Sequence, residues 1–260
     1  MQLASLFSGS SGNSVLVSGG STKILVDAGL SGITIESELK KLDVTMEEID
    51  AILVTHEHSD HIKGVGVLSR RFGVPIYAND GTWAGMEQWI GKIKPENRRV
   101  LSEGLAVGAL EVEPFETPHD SVSSLGFCFY HKGKKATVMT DCGHVSDCML
   151  AHALGSDAIL MESNHDIDML VTGGYPYYLK QRIKGERGHL SNVEAAKLAA
   201  ILANRGTRCI LLGHLSNENN TPKFAYEESA RALGIMGAEI GRDIMLAVAG
   251  RNGTSGIYEV

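Results

Sequence analysis

The sequence lacks the features that mark a chain for a membrane, for export or for disorder. No apolar run approaches the ~20 residues that a membrane helix requires. The N-terminal MQLASLFSGSSGNS places no basic residue ahead of its short apolar stretch, which is not the layout of a secretory signal. A cytoplasmic location without a membrane partner is therefore expected. Cysteine is scarce: Cys128, Cys142, Cys148 and Cys209 show neither C-x-x-C spacing nor the density of a disulfide scaffold, and read as reduced thiols. Positive charge is also in deficit, with 24 Lys and Arg against 31 Asp and Glu for a net charge of −7. That balance argues against a uniformly basic nucleic-acid surface, but a local basic patch or bound cations can still receive phosphates. No linker rich in proline, glycine or serine divides the chain, and no short-period repeat runs through it. What is present is ordinary for a soluble fold: 260 residues, 43% hydrophobic and 21% charged, enough for one domain spanning 1–260 with a large core.

Short apolar, partly β-branched runs separated by glycine and serine turns predict strands over 3–7, 14–17 and 23–26. A helix is expected over 35–42, a strand over 51–54, a helix over 64–72, a strand over 74–77 and a helix over 82–90. Strands over 111–117, 125–130 and 136–140 form a second block. Helices over 146–154, 192–204 and around 226–233 then alternate with strands over 158–161 and 209–212. Strands recurring in both halves with helices between them predict an α/β fold of two stacked sheets flanked by helices, a four-layer αββα sandwich.

The run Thr55-His56-Glu57-His58-Ser59-Asp60-His61 puts four potential metal ligands into six residues directly after an apolar strand. Imidazole and carboxylate are ligands that zinc, manganese and iron accept, and alternate positions of an extended segment project to one side. A lone histidine here would most often be solvated or cap the following helix; four ligands together point to metal. Other candidates fall where strands are expected to end: His119, Asp141 and His214. Taken singly, the two histidines would be structural or surface residues and the aspartate a turn residue. The central cluster is what raises them.

These residues, in this order, resemble the metallo-β-lactamase superfamily, whose HxHxDH motif is followed by an isolated histidine, a bridging aspartate and a last histidine. The resemblance covers nearly the whole chain, including Asp27 in the VDAG turn. It implies that His56, His58 and His119 hold one divalent ion, that Asp60, His61 and His214 hold a second, and that Asp141 bridges them, with Asp60 also orienting the attacking water. Two divalent ions, of zinc, manganese or iron, are thus the expected cofactor; such a pair activates water and stabilises the oxygens of a displacement. His58 stands where flavodiiron oxidoreductases of this fold typically carry glutamate, which favours hydrolysis.

The C-terminal order Glu162-Ser163-Asn164, then Gly188-His189-Leu190-Ser191, then Gly213-His214 is similar to ribonuclease Z and the β-CASP nucleases. There an acidic residue after a strand pairs with a histidine before a helix, which implies that Glu162 orients His189 and that His189 protonates the departing oxygen of a phosphodiester. A departing alkoxide needs a proton, and a neighbouring carboxylate favours the protonated imidazole. Without that resemblance, His189 would merely precede a helix capped by Ser191, and Glu162 would be a solvated strand-end residue.

Together, FSGSSGNS, TDCGH, ESNHD and GHLSN are similar to the YycJ (WalJ) family of small metallo-β-lactamase-fold proteins. That similarity implies DNA ends as the substrate, removal of nucleotides in the 5′-to-3′ direction, and an association with a cell-wall two-component regulatory locus. The chain lacks a long insertion between His119 and His214 that would form a separate β-CASP clamp, so its hold on a polymer must come from elsewhere. Ser8, Ser11 and Asn13 in the first motif could approach a phosphate, although a tight turn explains their glycine neighbours equally well. The run from Tyr175 to Arg187 interleaves aromatics, Tyr177 and Tyr178 among them, with cations just before His189, as single-strand binding requires; an exposed helix with a tyrosine edge is the plainer reading. Asn164 and His165 are expected near the site. A small-molecule hydrolase acting on a thioester, lactone or cyclic nucleotide would need the metals but not the tyrosines, and a non-catalytic regulatory protein would need no proton donor. The sequence indicates no obligate protein partner and leaves oligomeric state open.

Overall fold

A computed structural model describes residues 1–101 and 103–260. The first sheet contains β1 (Gln2–Phe7), β2 (Ser14–Gly19), β3 (Thr22–Val26), β4 (Ala51–Leu53), β5 (Ile76–Ala78) and β6 (Arg98–Val100). The second contains β7 (Leu105–Val107), β8 (Leu110–Glu116), β9 (Leu125–His131), β10 (Lys134–Met139), β11 (Ala158–Glu162), β12 (Cys209–Gly213) and β13 (Met245–Val248). A final strand, β14 (Tyr258–Glu259), returns to the first sheet beside β1. The strand orders are β14-β1-β2-β3-β4-β5-β6 and β13-β12-β11-β10-β9-β8-β7. Helices α1 (Gly32–Lys40), α2 (Ser59–Ile62), α3 (Val65–Phe72) and α4 (Asp80–Ile90) belong to the first half; α5 (Asp147–Ala153), α6 (Ile167–Thr172), α7 (Tyr177–Lys184), α8 (Asn192–Asn204) and α9 (Pro222–Ile235) belong to the second.

Three apolar layers separate four structural ones. Successive residues of a strand point to opposite faces, and the strands here use both. On β2, Val15 and Val17 enter the layer between the sheets while Leu16 faces the layer under α1, α3 and α4. On β12, Cys209 and Leu211 enter the central layer, whereas Ile210 and Leu212 face α8 and α9. Burial on both faces is why these strands read as continuous apolar runs rather than as polar–apolar alternation. Phe127 and Phe129 of β9 fill the central layer without exposure to solvent. No helix among the described residues is long and apolar enough to cross a membrane.

The expected elements are present, with ends shifted by a few residues. The unpredicted ones are short or exposed: β6 is exposed at all three positions and α7 has no buried residue, so neither carries the apolar periodicity on which sequence reading depends. In the first sheet β3, β4, β5 and β6 are parallel, and in the second β10, β11, β12 and β13 are parallel. Loops leaving the carboxyl ends of such strands are where open α/β sheets place their ligands.

Candidate metal centre

The centre gathers at those carboxyl ends: Asp27 follows β3, the histidine cluster follows β4, Asp141 follows β10, Glu162 ends β11 and His214 follows β12. Asp27, Asp141 and His214 all take left-handed backbone conformations, with φ of 61°, 59° and 54°. Non-glycine residues in this region cost of order 1–3 kcal/mol each and persist where the surroundings fix them. Here the turn immediately past the strand end brings each side chain to the Asp60–His61 pair.

The cluster itself divides in two because its backbone changes conformation. His56 and His58 sit on extended chain, whereas Asp60 and His61 lie on the single turn of α2. His56 Nε2 and His58 Nδ1 are 3.0 Å apart, and His119 Nε2 lies 3.3 Å from the same His58 atom. On the other side, His61 Nε2 and His214 Nε2 stand 3.6 and 3.7 Å from Asp60 Oδ2. Asp141 reaches both groups, with Oδ2 3.5 Å from His61 Nε2 and Oδ1 3.8 Å from His119 Nε2.

The loops that hold this turn leave no room for side chains. Asn13 N–H donates to the Asp60 carbonyl and Ala28 N–H to the His61 carbonyl. A Cβ on Gly29 would lie 1.7 Å from the Asp60 carbonyl oxygen, so the close approach requires glycine. The Asp27 carboxylate accepts from Thr55 N–H and Thr55 Oγ1, both at 2.8 Å, and from His61 Nδ1 at 2.7 Å. With Nδ1 committed to Asp27, Nε2 is the His61 atom that faces Asp60 and Asp141.

The donor set fits a divalent cation. Buried atoms Asp141 Oδ2 and His214 Nε2 have no hydrogen-bond partner among the described residues, although buried polar atoms are nearly always paired. Charge is in conflict there as well. Burial opposes a proton on His61, yet Asp141, Asp27 and Asp60 overcome it and raise its pKa to about 9. Burial and the neighbouring imidazoles together push His56 well below the usual histidine range. Burial would raise Asp60, but His61 and His214 hold it well below the usual carboxylate range. A cation in place of those protons would take up the unpartnered Asp141 Oδ2 and His214 Nε2 and relieve the conflict of charge. The candidate ligand sets are His56–His58–His119, Asp60–His61–His214, His56–His61–Asp141 and Asp141–Glu162–His189–His214; in the last, Glu162 Oε1 is taken up by His189 Nδ1 and His214 Nδ1.

Glu162, fully buried, does more than pair with one histidine. Its Oε1 accepts from His189 Nδ1 and from His214 Nδ1, both at 2.8 Å, while Oε2 accepts from the backbone N–H groups of Cys142 and Leu190. Burial works against its charge, but His189 and His214 hold the carboxyl well below its usual range. His189 is thereby fixed with Nδ1–H toward Glu162 and its other nitrogen left for the cleft it lines. Ser191 does cap α8, accepting from Glu194 N–H at 3.2 Å; the cap and the His189–Glu162 pair coexist. Because Glu162 carries both rings, Glu162→Gln is expected to weaken metal affinity about 10–100-fold, the usual cost of losing an outer partner of a ligating histidine. Competition with a chromogenic chelator measures this; an unchanged affinity would show that Glu162 serves His189 alone.

The remaining expected residues are placed unevenly. Ser8 is buried, its Oγ accepting from His214 N–H at 2.7 Å. Asn13 is also turned inward, with Nδ2 3.1 Å from His61 Nε2 and 3.3 Å from Asp60 Oδ2. Asn164 lines the cleft while donating to the His214 carbonyl. His165 is buried, Nδ1 is unpartnered among the described residues, and burial lowers its pKa to about 4. Ser11 is exposed and its neighbour Ser10 lines the cleft instead. Tyr177 and Tyr178 are 77% and 73% exposed and do not line it; Tyr175, Leu179, Arg182 and Ile183 do.

Sequence reading therefore missed the inward face of α7, which the i, i+3, i+4 spacing of Leu179, Arg182 and Ile183 could have indicated. Arg182 pairs with Asp120 at the cleft, and Arg187 donates to the carbonyls of His119 and Ser121. These contacts strap the α7 segment to the loop bearing His119.

Residues 22–214 match the model of the β-lactamase superfamily domain. Exodeoxyribonuclease YycJ of Bacillus anthracis is 41% identical over 238 residues, covering 91% of this chain and 90% of that protein. The chain belongs to the YycJ/WalJ family of the metallo-β-lactamase superfamily. Another member, exodeoxyribonuclease WalJ of Streptococcus pneumoniae, is 42% identical over 243 residues, covering 92% of this chain and 90% of its own. The fold is shared more widely: the metallo-β-lactamase-fold protein YhfI from Bacillus subtilis superposes with a TM-score of 0.70 at 19% identity, over 99% of this chain and 98% of its own. The short form of human tRNase Z reaches 0.61 at 22% identity, over 84% and 93%. The YycJ/WalJ assignment accounts for the clustering of histidine and aspartate at opposed strand ends.

Proposed function

We propose that this chain is a phosphodiesterase that removes nucleotides from DNA ends in the 5′-to-3′ direction, with two divalent ions and with His189 as the proton donor. The observation that carries the reading is Glu162: one fully buried carboxylate supports both a candidate ligand, His214, and the cleft-facing His189. A hydrolase with a readily departing group gains little from such a donor, whereas a nucleotide alkoxide needs it. The names of the YycJ and WalJ relatives support DNA as the polymer.

The proposed ligands are His56, His58 and His119 for one ion and Asp60, His61 and His214 for the other, with Asp141 shared; zinc, manganese and iron all suit them. Such ions, when bound, supply Lewis acidity to a phosphoryl oxygen and activate the attacking water. The protein supplies the rest. Asp60, kept ionised between His61 and His214 and held by Asn13, orients the water. Arg182 and Asn164, both on the cleft wall, meet the phosphate and its sugar. His189, held through Nδ1, protonates the leaving oxygen from its other nitrogen. Ser8 and Asn13 act as supports of the ligands, while Ser11, His165, Tyr177 and Tyr178 remain available to a longer strand.

Incubation of manganese-loaded protein with 5′-end-labelled and internally labelled DNA tests the reading. The end label is expected to be released first as mononucleotide, with internal label following progressively. Internal scission, or no cleavage with any of several divalent ions, would refute it.

A further inference from the structure

Beside the cleft lies a second hollow that the proposed mechanism does not use. Its volume is about 480 Å³, within the range of sites for small organic groups, roughly 300–1,000 Å³. It shares His58 with the cleft, so the two hollows adjoin. The wall is α4, whose residues Gly85 and Trp89 are four apart and share a helix face. A Cβ on Gly85 would come within 2.5 Å of Glu57 Cγ, so glycine is what lets Glu57 lie flat against the helix. Above that floor Trp89 is 73% exposed. The other tryptophan, Trp83, is 1% exposed and donates its indole N–H to the Arg99 carbonyl. Only one of the two indoles is thus free to receive a ligand. Exposed Lys63, just past α2, stands at the rim.

We propose that this hollow binds one nucleobase of a DNA strand whose phosphate sits in the cleft, the base stacking on Trp89. The inference rests on the phosphodiesterase reading and adds the means by which a chain without a separate clamp holds its polymer. Three features favour a nucleobase over a purely apolar guest. The shared His58 puts the hollow next to the cleft that would hold the reacting phosphate. Lys63 offers a cation to the backbone beside the base. Glu57 accepts from Val122 N–H through Oε1, while Oε2 is buried without a partner among the described residues. Burying an unpaired carboxylate oxygen is unfavourable. Each of the four bases carries an N–H donor on its pairing edge, and a base that turns that oxygen toward itself satisfies it. Stacking on an indole is indifferent to base identity, since every base has a π-face, which suits an enzyme that must pass every sequence.

Tryptophan fluorescence gives a direct reading, because Trp83 is buried. The full-length protein is titrated with a short phosphorothioate single strand, which resists hydrolysis, and with the same backbone lacking its bases. The base-bearing strand is expected to quench emission and the abasic one to leave it nearly unchanged. Trp89→Phe should abolish the quench while keeping most of the affinity, and Trp89→Ala should weaken binding of the base-bearing strand by tenfold or more, on the order of one stacked base. Equal quenching by the abasic backbone, affinity unaffected by Trp89→Ala, or no quenching by either strand would overturn the assignment. Release of label from DNA ends by the wild type judges the phosphodiesterase reading separately. A protein that degrades DNA yet shows no Trp89-dependent binding refutes the hollow alone, and one that binds through Trp89 but degrades nothing refutes the nuclease reading alone.

Discussion

Replacement of Asp60 by alanine is expected to slow release of the 5′ label by about 10³-fold or more, at about 1.4 kcal/mol per decade for a group that contributes several kcal/mol. The reason is local. His61 and His214 hold the Asp60 carboxyl ionised against the effect of burial, and its Oδ2 is the anionic point on which both rings and Asn13 Nδ2 converge. Alanine leaves Asp141 as the one carboxylate facing His61 Nε2 and removes the one facing His214 Nε2. Metal content measured by atomic emission should fall in parallel, and circular dichroism should stay native, since Asp60 is partly exposed on a short turn outside the apolar layers. A rate within tenfold of the wild type would remove Asp60 from the machinery.

His189→Ala gives a different signature. Loss of a positioned proton donor typically costs 10²- to 10⁴-fold, and a loss of that order is expected on DNA, whose departing alkoxide is a strong base. On bis(p-nitrophenyl) phosphate the leaving group needs no proton, so the same substitution should cost far less, about tenfold at most by the same reasoning. Metal content should be retained, because neither proposed ligand group, His56–His58–His119 or Asp60–His61–His214, includes the ring, and in the Asp141–Glu162–His189–His214 group its Nδ1 is committed to Glu162. Equal losses on both substrates would show that His189 binds or orients the phosphate instead of protonating the leaving oxygen. The contrast with Glu162→Gln, which disturbs His214 too, separates the donor from its support.

How legible the site was in the sequence follows the spacing of its parts. The candidate donors of the cluster fall within six residues, and their chemistry is recognisable without a fold: four donors so close in sequence have few other uses. His119, Asp141 and His214 were visible only as residues at the ends of expected strands, and the resemblance to a known family gave them roles. Glu162 and His189 were paired by the same route, but the sharing of Glu162 with His214 depends on β11 and β12 lying side by side in parallel register, with Glu162 opposite Gly213. No local pattern encodes that.

The aromatic and basic run before His189 shows the limit from the other side. Composition drew attention to Tyr177 and Tyr178, which stand at the exposed start of α7, whereas the cleft is lined by Leu179, Arg182 and Ile183. Which face of a short, wholly unburied helix turns inward is decided by the straps from Arg182 to Asp120 and from Arg187 to the His119 loop, contacts between segments some 60 residues apart.

By itself, then, the sequence determined the strands, most helices, the layered class and the central cluster of candidate metal donors, because strand burial and ligand type are properties of local residue chemistry. The tertiary structure decided how those donors divide between two groups, through the change from extended chain to helical turn at His58, and which carboxylate serves two histidines. It also decided which wall of the cleft a substrate would meet. Each of these depends on the juxtaposition of strand ends and loops from opposite halves of the chain, which packing of the two sheets fixes and local chemistry does not.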